Sequence, residues 1–151
     1  MNVAKDVSSK VFIDTNIWLY AFSDSQDKVK SQQAKSLIRR ESQIALSSQV
    51  VNEVSVNLLR KFHAKEDDVC KLIHSFYDKY IIVEHDRSVF LNASNLRILY
   101  PVSYWDSLII ASALTAGASI LYTEDLHDGL TINKRLTIVN PLKSEKLLNP
   151  P

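Results

Sequence analysis

Carboxylates recur in this chain where a predicted strand gives way to a helix or a loop. Asp14 follows Val11-Phe12-Ile13, three apolar β-formers in a row. Glu124 and Asp125 follow Ser119-Ile120-Leu121-Tyr122 and Thr123, with Asp128 three residues further on. Two more acids lie near predicted helix starts: Glu53, in the second turn after Ser47-Ser48, and Asp106, three residues after Ser103. In an open α/β sheet the strand carboxyl ends and the following helix N-termini share one edge, and such folds bind their ligands there. These positions can therefore converge on one cleft. Each acid also has a plainer role available. Asp14 or Asn16 can N-cap the helix that follows, and Asp106 can be the capping-box partner of Ser103. Glu53 can be a solvated helix acid, and Glu124, Asp125 and Asp128 can be turn residues.

If the acids do converge, something must offset their repulsion. Two like charges about 4 Å apart repel by roughly 4 kcal/mol at an effective dielectric near 20. No lysine or arginine adjoins any of them in sequence. Either some carboxylates stay protonated or a cation sits among them. An all-oxygen donor set without a His/Cys group favours Mg²⁺ or Mn²⁺ over zinc. A few carboxylates holding such an ion is an arrangement suited to hydrolysing phosphodiesters.

The elements that must position these residues follow from the apolar pattern. Strands are predicted at 11–13, 44–46, 81–83, 119–122 and 136–139, separated by helical periodicity at 17–22, 28–41, about 48–63, 65–80, 86–99 and 103–117. That alternation indicates an α/β fold with a mostly parallel sheet of about five strands flanked by helices. The helix after Ser103 is apolar nearly all round, as expected of a central, closely packed helix, and Gly117 is placed to end it. The 151 residues suit one domain spanning 1–151, with residues 1–9 frayed. Lys plus Arg number 18 against 17 Asp plus Glu, so any basic surface must be a local patch. Only two glycines are present, which argues against Gly-rich phosphate loops. The single cysteine, Cys70, cannot form an internal disulfide. It is expected to be a small core residue of a protein in a reducing, cytoplasmic compartment. No apolar run is long enough to span a membrane, and no signal-peptide pattern is present.

Four pieces, in order along nearly the whole chain, resemble a PIN-domain ribonuclease of the kind that serves as the VapC-type toxin of type II toxin–antitoxin pairs. They are Phe-Ile-Asp-Thr-Asn (12–16), Ser-Gln-Val-Val-Asn-Glu (48–53), Tyr-Trp-Asp-Ser-Leu-Ile-Ile-Ala-Ser-Ala (104–113) and Leu-Tyr-Thr-Glu-Asp-Leu (121–126). The resemblance implies a single PIN-like domain and Mg²⁺- or Mn²⁺-dependent endonuclease activity on RNA. It implies Asp14, Glu53 and Asp106 as the core acids, Asp125 as the fourth, and Asn16 as the residue that orients the first. Thr123, Glu124 and Asp128 are supporting candidates, and which of the last acidic cluster would touch metal stays open. Glu53 can ligate or can orient the attacking water. A homodimer and a cognate antitoxin protein are the implied partners, the dimer supported by apolar Trp18, Leu19 and Phe22, more than one helix face needs for its own core.

Alternatives are a PIN nuclease of RNA maturation or decay, and a non-catalytic RNA-binding PIN module that has lost its acids, which this chain retains. A phosphatase of the haloacid dehalogenase type also carries an Asp at a strand end, but it wants a second acid two residues on, where this chain has Asn16. Lys61, Arg60, Lys65, Lys134 and Arg135 are candidates for phosphate contact or plain surface charges. Tyr104 and Trp105 are expected to pack beneath their helix start, with base stacking as the alternative.

Overall fold

The computed structural model describes residues 9–142 apart from 24 and 26. The first strand, β1 (Val11–Ile13), has all three side chains buried. Each fully buried side chain of this size contributes about 1.5–3 kcal/mol of apolar transfer free energy. The chain then turns directly into α1 (Thr15–Phe22), and α2 (Lys28–Arg40) folds back against it, capped by Asp27, whose carboxylate accepts from the Lys30 N–H. β2 (Ile44–Ser47) leads without a loop into α3 (Ser48–Lys61), because Ser47 ends the strand and caps the helix at once. α4 (Glu66–Lys79) follows, then β3 (Ile81–Val83), α5 (Arg87–Leu99) and α6 (Tyr104–Thr115). β4 (Ile120–Tyr122), β5 (Thr131–Ile132) and β6 (Leu136–Val139) complete the order.

The sheet runs β3-β2-β1-β4-β6-β5, and every pairing is parallel except that of β5 with β6. Five strands are those expected from the sequence. The sixth, β5, is an addition: a two-residue edge strand too short to leave a periodic signal. It is joined to β6 by Asn133, Lys134 and Arg135; the first two have positive φ, and the Arg135 N–H donates to the Ile132 carbonyl (3.0 Å). Two successive left-handed residues give the tight hairpin twist that antiparallel strands need. Asn favours that region, but Lys134 carries no such signal.

α6 buries seven consecutive residues, Ser107 through Ala113, between α5 and the sheet. It closes at Gly117 (φ +74), where the Ala118 N–H reaches back to the Ala113 carbonyl (3.0 Å), the six-to-one bond of a left-handed helix terminus. No helix among the described residues is long and apolar enough to cross a membrane.

Three sequence expectations change. Cys70 is exposed rather than core, because it sits one residue past the buried Val69 and so about 100° around α4. Trp18 is buried (1% exposed), where its indole N–H donates to the Ile13 carbonyl and its ring packs on Phe76 and Tyr80; of the expected apolar patch on α1, Phe22 is exposed and Leu19 half-buried. Ser9 is tied to Ser119 through their hydroxyls (3.1 Å) and so is not frayed, while residues 1–8 lie outside the described ones.

Candidate active site

β1 and β4 run side by side in register, Ile13 beside Tyr122, so the next residues, Asp14 and Thr123, leave the sheet together. The Asp14 N–H donates to the Tyr122 carbonyl (3.0 Å), which fixes the turn. Asp14 then N-caps α1: its Oδ1 accepts from the Thr15 N–H (2.7 Å), and its Oδ2 accepts from the buried Thr123 hydroxyl (2.8 Å). The capping role and a place at the strand edge thus coexist in one residue. Asp14 is 9% exposed. Burial pushes its carboxyl pKa from 3.8 up to about 6, against the lowering effect of the Thr123 and Thr15 hydrogen bonds, and the Glu53 and Asp125 charges add to the rise.

Glu53 comes from α3, whose start Ser47 pins at the same sheet edge through the Val50 N–H (3.3 Å). Its carboxylate is held at both oxygens: Oε2 accepts from the Thr15 hydroxyl (2.7 Å) and Oε1 from the Gln49 amide (2.9 Å). Neither Thr15 nor Gln49 stood out in sequence. Gln49 lies four residues before Glu53 on one helix face, the spacing at which side chains meet, and that was the available signal.

Asp125 follows Thr123 past the end of β4, and its N–H donates back to the Thr123 hydroxyl (3.2 Å). The Asn16 amide donates to Asp125 Oδ2 (2.6 Å). The resemblance implies Asn16 as a partner of Asp14, but its amide hydrogen-bonds Asp125, while the Asp14 oxygens take theirs from Thr15 and Thr123. The Asp125 carboxyl is also raised, by burial first and then by the charges of Glu124, Asp106 and Glu53. Asp106, half-buried in the first turn of α6, has its N–H capped by the Ser103 hydroxyl (3.1 Å). α6 follows another helix rather than a strand, so its arrival at this edge owes nothing to strand–helix alternation.

The remaining acids are engaged elsewhere. Glu124 accepts from Lys30 Nζ (2.7 Å) and from the Tyr20 hydroxyl (3.0 Å). Asp128 accepts from the Asn140 N–H (2.8 Å) and braces the β4–β6 connection. His127 is exposed. Tyr104 and Trp105 are exposed at 49% and 64%, against the expectation that they pack under α6. The reason is that Ser107 through Ala113 already fill the contact of α6 with the sheet and α5.

Among the described residues, the only ion pairs are Lys30–Glu124 and Arg40–Glu41, so Asp14, Glu53, Asp106 and Asp125 have no lysine or arginine partner. Their donor set is all oxygen, which fits a hard divalent cation. Among the described residues no three His, Cys, Asp or Glu side chains are drawn close enough to hold an ion as they stand.

The described fold is similar to that of several solved structures. The matching chain in a toxin–antitoxin complex from Klebsiella pneumoniae is 23% identical with a TM-score of 0.68, covering 89% of this chain and 99% of that one. The match to FitAcB from Neisseria gonorrhoeae is 16% identical with a TM-score of 0.65, covering 87% and 97%. VapC20 of Mycobacterium tuberculosis, described as a toxin that cleaves the sarcin-ricin loop, is 16% identical with a TM-score of 0.62, covering 76% and 89%. At such identities the likeness is one of fold. No curated protein sequence matches the chain. The family model of the PIN domain matches residues 11–127, a span that begins at β1 and runs past Asp125 to take in all four acids. The chain belongs to the PIN domain family.

Proposed function

We propose that the chain is a Mg²⁺- or Mn²⁺-dependent endoribonuclease and the toxin component of a type II toxin–antitoxin pair, acting at the sheet edge that carries Asp14, Glu53, Asp106 and Asp125. The observation that carries this is Asp14: a buried carboxylate pushed up to about 6, with other carboxylates around it and no basic side chain to compensate. That is a site whose charge balance calls for a cation. Asp14 and Asp106 would hold the ion directly, with Asp125 as the further candidate. When bound, the ion offsets charge on the phosphoryl group and lowers the pKa of water, the chemistry that hydrolyses a phosphodiester. The Thr123 hydroxyl and the Thr15 N–H fix the direction in which Asp14 presents its oxygens. Thr15 and Gln49 anchor the two oxygens of Glu53, which would either ligate the ion or orient the attacking water. Asn16 anchors one oxygen of Asp125. Lys61, on the rim of a small pocket shared with Asn16, Tyr20 and Glu124, is placed to meet a substrate phosphate.

The likeness to toxins solved in complex with their antitoxins supports the partner assignment. A groove of about 400 Å³ between α1, α2 and α4, floored by Phe22, Ile38 and Leu72 and rimmed by Lys35, Arg39 and Lys79, offers room for an antitoxin segment with apolar and acidic side chains. A homodimer and a cytoplasmic setting complete the proposal.

The test is cleavage of a panel of structured RNAs by the purified chain with Mg²⁺, with EDTA, and with Asp14→Asn. Asn keeps the size and removes the charge. A rate loss on the order of 100-fold or more is expected, since most of such catalysis is electrostatic. Cleavage that persists in EDTA or equally in the variant overturns the assignment. RNA affinity without turnover would make the chain a binding module instead.

A further inference from the structure

Two aromatic rings stand in solvent in the first turn of α6, immediately before Asp106. Tyr104 is 49% exposed and Trp105 64%. They meet edge to face with centroids 5.3 Å apart. Tyr104 is held from its other side: the Arg97 guanidinium lies 4.6 Å from its ring centroid. Arg97 is itself fixed, because its Nη1 donates to the Ser107 hydroxyl (2.7 Å), and that hydroxyl donates to the Tyr104 carbonyl (2.5 Å). Ser107 is fully buried, so the assembly is anchored in the core while its rings face water. Exposing a Trp ring leaves a large apolar area wet, and fixing its neighbours removes rotamer freedom; neither helps the fold by itself.

We propose that Trp105 and Tyr104, braced by Arg97, form a stacking platform for unpaired bases of single-stranded RNA beside the phosphate handled at Asp106. This rests on the nuclease assignment above. Three features favour RNA over a second copy of the chain as the occupant. The platform is continuous in sequence with a site acid, one residue away. It carries a fixed cation, which complements phosphate. Its rings are planar and exposed, and Tyr104 is held in place by Arg97, as base stacking needs. The chemistry is independent of base identity, because every base has a π-face.

The two tryptophans make the test direct. Trp18 is buried and Trp105 exposed, so only Trp105 can be quenched by a stacking base. Fluorescence titration uses the full chain in the Asp14→Asn background with Mg²⁺, so that RNA survives. The probes are a twelve-nucleotide single-stranded RNA of mixed sequence and its duplex. Quenching is expected with the single strand and not with the duplex. Trp105→Leu weakens single-strand affinity roughly 10-fold, within the range that aromatic-to-alanine changes cost at stacking sites, and Trp105→Phe, which keeps a π-face, by about 3-fold or less. The position is exposed, and circular dichroism checks that the fold is intact in both variants. Unchanged affinity of Trp105→Leu, with cleavage by the parent chain normal, overturns the platform and leaves the nuclease assignment standing. Absence of single-strand binding overturns the platform, and absence of cleavage by the parent chain with Mg²⁺ overturns the nuclease assignment. A Trp105→Leu protein that keeps its RNA affinity but shifts in sedimentation would make the rings an interface between copies, which also overturns the proposal.

Discussion

Glu124 and Asp125 are neighbours in sequence and lie in opposite electrostatic settings. Glu124 has a lysine at 2.7 Å and a tyrosine hydroxyl at 3.0 Å, and Lys30 also stands 5.2 Å from the Tyr20 ring centroid. That corner ties α2 to α1 and to the end of β4, and its charges are balanced. Asp125 turns the other way, toward Asn16 and the other acids, and its carboxyl is raised by burial and by three like charges. Glu124 is paired with a cation within the protein, whereas Asp125 has an amide partner and no cation. On the proposed assignment this contrast, alongside the half-burial of Glu124 and the exposure of Asp125, separates a structural carboxylate from a reactive one.

The largest expected effect tests that contrast in activity. Asp125→Asn should slow RNA cleavage about 10-fold or more, because it removes one charge from the ion's surroundings. Glu124→Gln should leave the rate within about twofold. Equal losses in single-turnover assays would mean that the Lys30 corner belongs to the reaction, and the division would fail.

A second effect concerns stability of the metal-free protein. Asp14 holds its proton more tightly in the folded chain, at about 6, than its ordinary value of 3.8. Ionising it therefore costs the folded state: the cost is absent below pH 3.8, grows through the interval to pH 6, and is complete above it. Asp14→Asn removes that cost, so in EDTA at pH 7.5 the variant should be more stable than the parent by on the order of 1–3 kcal/mol. The gain should shrink to nothing near pH 4. Urea melts at both pH values check it; a variant less stable than the parent at pH 7.5 would show that the Thr123 and Thr15 hydrogen bonds to the carboxylate outweigh its burial. Excess Mn²⁺ should reverse the order by stabilising only the parent.

Much of this arrangement was legible in the residues. Val11-Phe12-Ile13 could only be a strand buried on both faces, and an acid at its end in an α/β chain has one edge to occupy. The ordered pieces around Asp14, Glu53, Asp106 and Asp125 carried the family, which the match over residues 11–127 then shows. What was not legible depends on side chains meeting across long sequence separations. Nothing near Glu124 announces Lys30, 94 residues earlier. Asn16 sits two residues from Asp14 and was expected to serve it, yet its amide spans 109 residues to Asp125. Tyr104 and Trp105 look like core by composition. They are exposed because α6 already has seven buried residues, a limit set by packing and invisible in a local window. β5 leaves no signal in the sequence, because two residues carry no period.

The smallest effect completes the comparison from the balanced side. A double-mutant cycle of Lys30→Met and Glu124→Gln isolates the pair from the packing of either side chain. Both groups are about a quarter exposed, so water screens their attraction, and the coupling should be about 0.5–1 kcal/mol. Its salt dependence follows: raising ionic strength from 0.1 to 1 M shortens the Debye length from about 10 to about 3 Å, so the coupling should fall but not vanish. Its pH dependence also has a sign. The Lys30 ammonium is raised above 10.5, chiefly by its hydrogen bond to Glu124, so its contribution is full below pH 10.5 and disappears as pH climbs through the raised value. The cycle run on Lys30 and Asp125 should give a value near zero. A coupling there as large as that with Glu124 would mean that the lysine already compensates the acidic edge, and the need for an added cation would lose its physical basis.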